Sequence, residues 1–113
     1  MSHLQPAFYG PGIYAITCIV DNRKYVGQSN KISKRWATHV HHMHNVRKYY
    51  LKKPYTSPDP LWHSWNVHGP EMHRFSVLEP VDDLAMLTAR ERYWIVKLNT
   101  IDERYGFNRI LPP

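Results

Sequence analysis

The sequence predicts a mixed α/β fold of the α+β type, a single domain over residues 1–113 with the element order β-β-α-α-β-α. Three observations carry this expectation. Two short runs rich in β-branched and aromatic residues flank a turn near the N-terminus. A third such run stands alone at residues 73–79. Three stretches between and after them repeat apolar residues at helical spacing. A chain of 113 residues suits one compact domain.

Residues 13–20, "IYAITCIV", read as the first strand, because β-branched and aromatic side chains favour a pleated surface. "DNRK" supplies a turn and "KYVGQ" a second strand. So short a link joins antiparallel neighbours, not a parallel crossover. Residues 30–44 read as a helix, with Ser29 or Asn30 as its cap and Ile32, Trp36, Val40 and Met43 on one face. Residues 45–60, basic and then proline-rich, read as a long loop. "PLWHSWNVHG" reads as a short helix, with Pro60 in its first turn and Gly69 at its end. "HRFSVLE" is the third strand, placing Phe75 and Val77 on one face. Residues 82–98 form the last helix, capped by Asp82 or Asp83. No internal repeat or low-complexity tract interrupts the chain.

Charge narrows the partners. The net charge is +6. Between Asn22 and Pro58 there is no acidic residue, while Arg23, Lys24, Lys31, Lys34, Arg35, Arg47, Lys48, Lys52 and Lys53 all fall there. A block of one sign repels itself and calls for an opposite charge. Tyr49, Tyr50 and Tyr55 interleave with the cations, which suits phosphate contact with stacking and points to nucleic acid. The alternative is a solvated basic face. No apolar run approaches the roughly 20 residues that cross a bilayer, and "MSHLQPAFYG" lacks a signal-like pattern, so no membrane partner and no secretion are expected. The single cysteine, Cys18, excludes an internal disulfide and agrees with a cytoplasmic setting.

The candidate chemistry follows from position. In the last helix Leu84, Leu87, Trp94, Ile95 and Leu98 form one stripe, and Glu91 falls inside it. A carboxylate on an apolar face is costly without a partner, either a structural cation such as Arg35 or a functional metal. Arg35, His39 and His42 flank the stripe of the first helix and are expected near the sheet edge, though alone each reads as structural. Tyr14 shares a strand face with Ile16 and Cys18, with Tyr25 on or near the facing position; core aromatics are the default reading. Gly27, lacking a Cβ, permits close approach of a phosphate. "HVHHMH" offers helical histidine pairs (His39 with His42, His41 with His44) for zinc. No second half-site at structural-zinc spacing accompanies them, so His41 and His44 are expected to extend the polar, DNA-facing surface. A zinc-binding interaction domain stays open as a third class of function.

Taken together, Gly12-Ile13-Tyr14, ten residues, then Tyr25-Val26-Gly27 resembles the signature of the GIY-YIG nuclease family. Further segments follow in order. "KRWATH" resembles the Arg-x-x-x-His helix of that family. "LWHSWNVHGPEMHRFSVLE" resembles the middle of its phage and group I intron homing-endonuclease branch. "ARERYWI" resembles the glutamate-bearing helix, and "YGFN" the late asparagine motif. The resemblance spans residues 10–109. It implies a three-stranded antiparallel sheet flanked by about three helices, and metal-dependent hydrolysis of DNA phosphodiesters as a magnesium (or manganese) endonuclease.

Carried over by position, the resemblance implies Tyr14, Tyr25, Arg35, His39 and Glu91 as catalytic residues, Glu91 as the ligand of one Mg²⁺ or Mn²⁺, and Gly12 and Asn108 as residues that shape the site. Either Tyr14 or His39 is the expected base. DNA contacts are expected from Gly27, Gln28, Lys31, Lys34, Arg47, Lys48, Lys52 and Lys53. Two departures stand out. Gln28 occupies a place where members often carry Ser, Thr or Lys. No linker or separate recognition domain follows the motifs in this sequence, so weak sequence specificity is expected. A monomer in solution is expected, and exposed aromatics such as Tyr49, Trp62 or Trp65 leave a dimer on DNA open. If phage-encoded, the protein would act in the host cytoplasm. The alternative function is a non-catalytic nucleic-acid-binding module on the same fold.

Overall fold

A computed structural model describes the backbone of residues 8–52 and 59–113, with side chains over 8–42 and 59–113. Strand β1 (Gly12–Cys18) pairs antiparallel with β2 (Lys24–Ser29) and with β3 (His73–Pro80), giving the order β2-β1-β3. The register places Tyr14 opposite Gly27 and Ile16 opposite Tyr25. On the other side the register shifts between Ile13 and Tyr14 against β3.

The alternation of β1 divides the core between the two sheet faces. Tyr14, Ile16 and Cys18 pack with Ile32, Trp36, Leu61, Trp65 and Phe107. Ile32 and Trp36 come from helix α1 (Ile32–Lys52), and Leu61 and Trp65 from α2 (Pro60–His68), so these helices cover one face. Phe75 and Val77 of β3 join this cluster, as their shared strand face requires. Ile13 and Val26 pack on the opposite face with Val81, Leu87 and Ile95, the last two from α3 (Leu87–Leu98). The outer edge of β2 is covered by the C-terminal segment. Lys24 donates its N–H to the Tyr105 carbonyl at 3.1 Å, and Phe107 donates to the Lys24 carbonyl at 2.9 Å. The Asn108 side chain continues this pairing: its Oδ1 accepts from the Val26 N–H at 2.8 Å and its Nδ2 donates to the Val26 carbonyl at 2.9 Å.

Several boundaries differ from the sequence expectation. Strand β1 ends at Cys18, not Val20. Asn22 takes a left-handed conformation (φ 62°), and its N–H bonds back to the Cys18 carbonyl at 2.8 Å, turning the chain early and leaving Ile19 and Val20 exposed. Helix α1 runs to Lys52, so the first half of the expected 45–60 loop is helical. Nothing between Asn45 and Lys52 breaks a helix, and the first obstacle is Pro54. The remainder of that loop, 53–58, lies outside the described residues. The last helix opens with a 3₁₀ turn, Leu84–Met86, in which the Asp83 carboxylate accepts the Ala85 N–H at 3.0 Å; this swings Leu84 out of the apolar stripe into solvent. The α2 boundaries agree with the sequence: the Asp59 carboxylate caps it, and Gly69 ends it at φ 93°, a conformation that favours glycine. Trp65 is buried and Trp62 half-buried, so neither is the exposed contact aromatic the sequence reading assigned.

Candidate active site

The two motif tyrosines meet a histidine from α1. The Tyr14 hydroxyl lies 2.8 Å from His39 Nε2. The ring centroids are 6.4 Å apart for Tyr14 and Tyr25, 5.7 Å for Tyr14 and His39, and 6.0 Å for Tyr25 and His39. Tyr14 is fixed from below by stacking on Phe75 at 4.9 Å. Its hydroxyl end occupies the space over Gly27, where any Cβ would collide with the ring. Gly27 therefore makes room for the Tyr14 phenol, which corrects the expectation that its missing Cβ admits a phosphate. Gly12 has a similar steric role: a Cβ there would strike the Glu79 carbonyl and crowd Ile32 of α1.

The electrostatics keep this trio neutral. Burial holds the Tyr14 phenol far above its usual range, with the neighbouring Tyr25 adding to the rise and Arg35 opposing it. Burial likewise raises Tyr25, reinforced by Glu91 and Asp59. Burial lowers His39 to about 4, helped by Arg35 and His42. Near neutral pH His39 is therefore an uncharged imidazole beside a protonated phenol.

Glu91 approaches β2 from α3 and is half-buried, as its place in the apolar stripe requires. Its hydrogen-bond partner is Gln28, whose amide donates to Oε1 at 2.9 Å and reaches Thr88 Oγ1 at 3.3 Å. Burial raises the Glu91 carboxyl, and the Gln28 bond partly offsets this. Among the described residues no salt bridge joins Glu91 to Arg35, so the structural ion pair weighed from the sequence does not form. The Gln28 side chain, expected on DNA, instead turns to the carboxylate. Register explains this: Gln28 faces Ile13 on the α3 side of the sheet.

Two concavities lie at this edge. One, of about 470 Å³, is lined by Tyr25, Asp59, Glu91, Phe107, Asn108 and Arg109 with neighbouring C-terminal residues. The other, of about 480 Å³, is lined by Ser29, Asn30, Lys31, Lys34, Arg35 and Thr38 at the start of α1. Arg35 is exposed and lines this second concavity with Ser29 at the end of β2, near enough for its charge to act on Tyr14, Tyr25 and His39. His42 is also exposed and lies against Trp62, ring centroids 4.3 Å apart. Sequence reasoning passed over Asp59 and Thr88. Asp59 precedes a proline at a helix start, a capping signal, but nothing local places it beside Tyr25. The side chains of Arg47, Lys48, Lys52 and Lys53, expected on DNA, lie outside the described residues.

This arrangement of two strand tyrosines, an α1 arginine and histidine, and an α3 glutamate agrees with the similarity to known proteins. The model of the GIY-YIG catalytic domain matches residues 10–105, and the chain belongs to that family. It is 32% identical over 90 residues to intron-associated endonuclease 1 of Enterobacteria phage T4, covering 79% of this chain and 33% of that protein. The chain thus spans about a third of the length of this curated relative. Two solved structures of the catalytic domain of the intron homing endonuclease I-TevI are similar at 27% identity. Their TM-scores are 0.71 and 0.69, covering 91% and 87% of this chain and 96% and 98% of theirs.

Proposed function

We propose that this chain is a metal-dependent DNA endonuclease that hydrolyses phosphodiester bonds at the β2 edge with weak sequence specificity. The observation that carries the reading is the neutral Tyr14–Tyr25–His39 cluster beside a half-buried carboxylate with no cationic partner among the described residues. The donor chemistry of Glu91 fits a divalent cation: an oxygen ligand held by a neutral amide and short of a counter-charge. Asp59 is less suited, because its carboxylate already caps α2 and lies 3.9 Å from Arg109. Bound at Glu91, Mg²⁺ or Mn²⁺ supplies positive charge against the scissile phosphate and the leaving 3′ oxygen.

The protein's own groups supply the rest. Arg35, with Lys31 and Lys34 lining the same concavity, receives phosphate oxygens, the guanidinium in a two-pronged contact. Tyr14 cannot serve as a free phenolate near pH 7. It donates its proton to His39 Nε2, and its oxygen accepts the proton of the attacking water. One proton thus moves from water to Tyr14 Oη while another moves from Tyr14 to His39. The imidazolium formed is disfavoured by burial and by Arg35, and DNA phosphates beside Arg35 offset that cost. Tyr25 stays protonated and donates to a phosphate oxygen.

Lys31, Lys34 and Arg35 grip the backbone, which carries little sequence information. The protein is a monomer in free solution, working in the cytoplasm where DNA is reached. Among the described residues no helix is long and apolar enough to cross a membrane. The test is supercoiled-plasmid cleavage with Mg²⁺, Mn²⁺ or EDTA, using wild type and Glu91→Ala. Cutting by wild type that EDTA and Glu91→Ala both abolish supports the reading. Binding without cutting by wild type points instead to a non-catalytic DNA-binding module.

A further inference from the structure

At the opposite end of β1 from Gly12, three donor side chains from three segments converge. Cys18 is the last residue of β1, Asp21 sits in the β1–β2 turn, and His68 is the last residue of α2. The Cys18 sulfur, one Asp21 carboxylate oxygen and one His68 ring nitrogen all lie within 4.8 Å of one another. Among the described residues this is the one group of three or more His, Cys, Asp or Glu side chains so arranged. We propose that Cys18, Asp21 and His68 form a Zn²⁺ site, separate from the Glu91 groove, that ties the end of α2 to the hairpin turn.

The spacing suits the ion. Tetrahedral Zn²⁺ takes Zn–S of about 2.3 Å and Zn–N or Zn–O of about 2.0–2.2 Å, so its ligand atoms stand roughly 3.3–3.6 Å apart. Asp21 Oδ2 and His68 Nε2 are 3.9 Å apart, too far for a hydrogen bond and a short rotation from sharing a metal. The donor types select zinc over the hard cation of the nuclease site, because thiolate and imidazole are borderline-soft ligands. Thiolate and carboxylate together neutralise the dication, and solvent water completes the fourth position. Binding takes Cys18 as thiolate and releases one proton to solvent.

The surrounding backbone holds the trio in place without the metal. Cys18 donates its N–H to the Arg23 carbonyl at 2.9 Å, and Ile19 donates to the Met72 carbonyl at 2.9 Å, fixing the turn to the segment after α2. Asp21 Oδ1 accepts the Arg23 N–H at 3.1 Å, which leaves Oδ2 toward His68. The Arg23 guanidinium, 3.9 Å from Asp21 Oδ2, is the competing cation. It is anchored elsewhere, with its Nη2 donating to the Gly106 carbonyl and its face over the Phe107 ring at 4.5 Å. Zn²⁺ can therefore engage the carboxylate without dislodging Arg23.

The test uses the intact chain, stripped with a chelator and titrated with ZnCl₂ by calorimetry, with Co²⁺ as a spectroscopic substitute. The expected result is one equivalent of tight Zn²⁺, a thiolate-to-Co²⁺ charge-transfer band and a higher Tm, all lost in Asp21→Ala and in His68→Gln. Cys18 lies in the core, so Cys18→Ser can fail to fold; the other two variants, checked for folding by circular dichroism, keep the test decisive. Glu91→Ala is expected to retain the zinc. Absence of stoichiometric binding by wild type, or binding that survives in both His68→Gln and Asp21→Ala, overturns the site. So does binding that is lost on replacing His41 and His42 instead.

Discussion

The Tyr14 hydroxyl and His39 Nε2 stand 2.8 Å apart, joining the first strand to the first long helix through a part-buried polar contact. Both partners are neutral near pH 7, and the fold enforces that neutrality. Burial first, then Arg35 and His42, hold His39 at about 4, below its ordinary 6.5. Its neighbours from the sheet, Tyr14 and Tyr25, are uncharged phenols.

A pH dependence of stability follows. Between about pH 6.5 and 4 the unfolded chain binds a proton at His39 that the folded chain does not, so stability falls as the solution is acidified through that window. His73, buried and also lowered chiefly by desolvation, pushes in the same direction. Urea unfolding at pH 7 and pH 5 should show a drop for wild type and a smaller one for His39→Asn. An equal drop in the two proteins would mean that His39 is already charged in the fold.

Tyr14→Phe removes the hydroxyl that the proposed proton transfer requires and leaves His39 without that partner. Cleavage is expected to fall by 10²–10⁴-fold, the usual scale of acid–base contributions, while DNA affinity stays within a few-fold. Single-turnover cleavage beside a binding isotherm checks this. A variant that cuts at the wild-type rate removes Tyr14 from the chemistry.

Gln28 offers a sharper test of the Glu91 assignment, because it acts through the carboxylate. Its amide donates to Glu91 Oε1 at 2.9 Å, so Gln28→Ala frees the ligand to rotate. Outer partners of metal ligands are worth about 10–100-fold in affinity or activity, and the Mg²⁺ concentration for half-maximal cutting should rise on that scale. Glu91→Ala should instead abolish cutting at any Mg²⁺ level while binding persists. An unchanged Mg²⁺ dependence in Gln28→Ala would show that the amide does not position the carboxylate.

The relation of Gln28 to Glu91 also marks where sequence reading stops. The hairpin was legible because its alternation and turn are local, and the Trp36 and Ile95 faces because helical spacing is local. Glu91 stood out for the same reason, as a charge in an apolar stripe. What holds it was not legible: Gln28 lies 63 positions away and meets it only because β2 is an edge strand under α3. The packing of Gly27 against the Tyr14 ring was hidden likewise, since cross-strand register decides which residue a missing Cβ accommodates. The exposed Leu84 was misjudged because one Asp83 cap tightens the helix start into a 3₁₀ turn and rotates the stripe.

Asn108 shows how the edge is finished. Its side chain satisfies both the N–H and the carbonyl of Val26, doing what a neighbouring strand would otherwise do. Asn108→Ala leaves both groups without that partner, and a loss of about 1–3 kcal/mol is expected. Chemical denaturation measures it. Asn108→Asp keeps an acceptor for the Val26 N–H but sets a second carboxylate oxygen, which has no proton to donate, against the Val26 carbonyl, so its loss should equal or exceed that of Asn108→Ala near neutral pH.

The last prediction concerns how many strands are cut. The proposed site holds one carboxylate ligand and one set of Tyr14, His39 and Arg35, so it accommodates one scissile phosphate. A monomer should therefore nick one strand per encounter, and a double-strand break requires a second protomer or a second event after rebinding. With the cations lining the α1 concavity on phosphates, as proposed, rebinding should weaken steeply with salt. Each lost phosphate contact lowers the slope of log K against log[salt] by about 0.9, so Lys31→Ala combined with Lys34→Ala should flatten it by about 1.8. On supercoiled plasmid, open-circular product should precede linear product, and raising the salt should delay the linear form more than the nicked one. Light scattering of the free protein should report a monomer. Linear product appearing first, at concentrations where scattering shows a stable dimer, would overturn the monomer assignment and leave the single-phosphate geometry of each protomer intact.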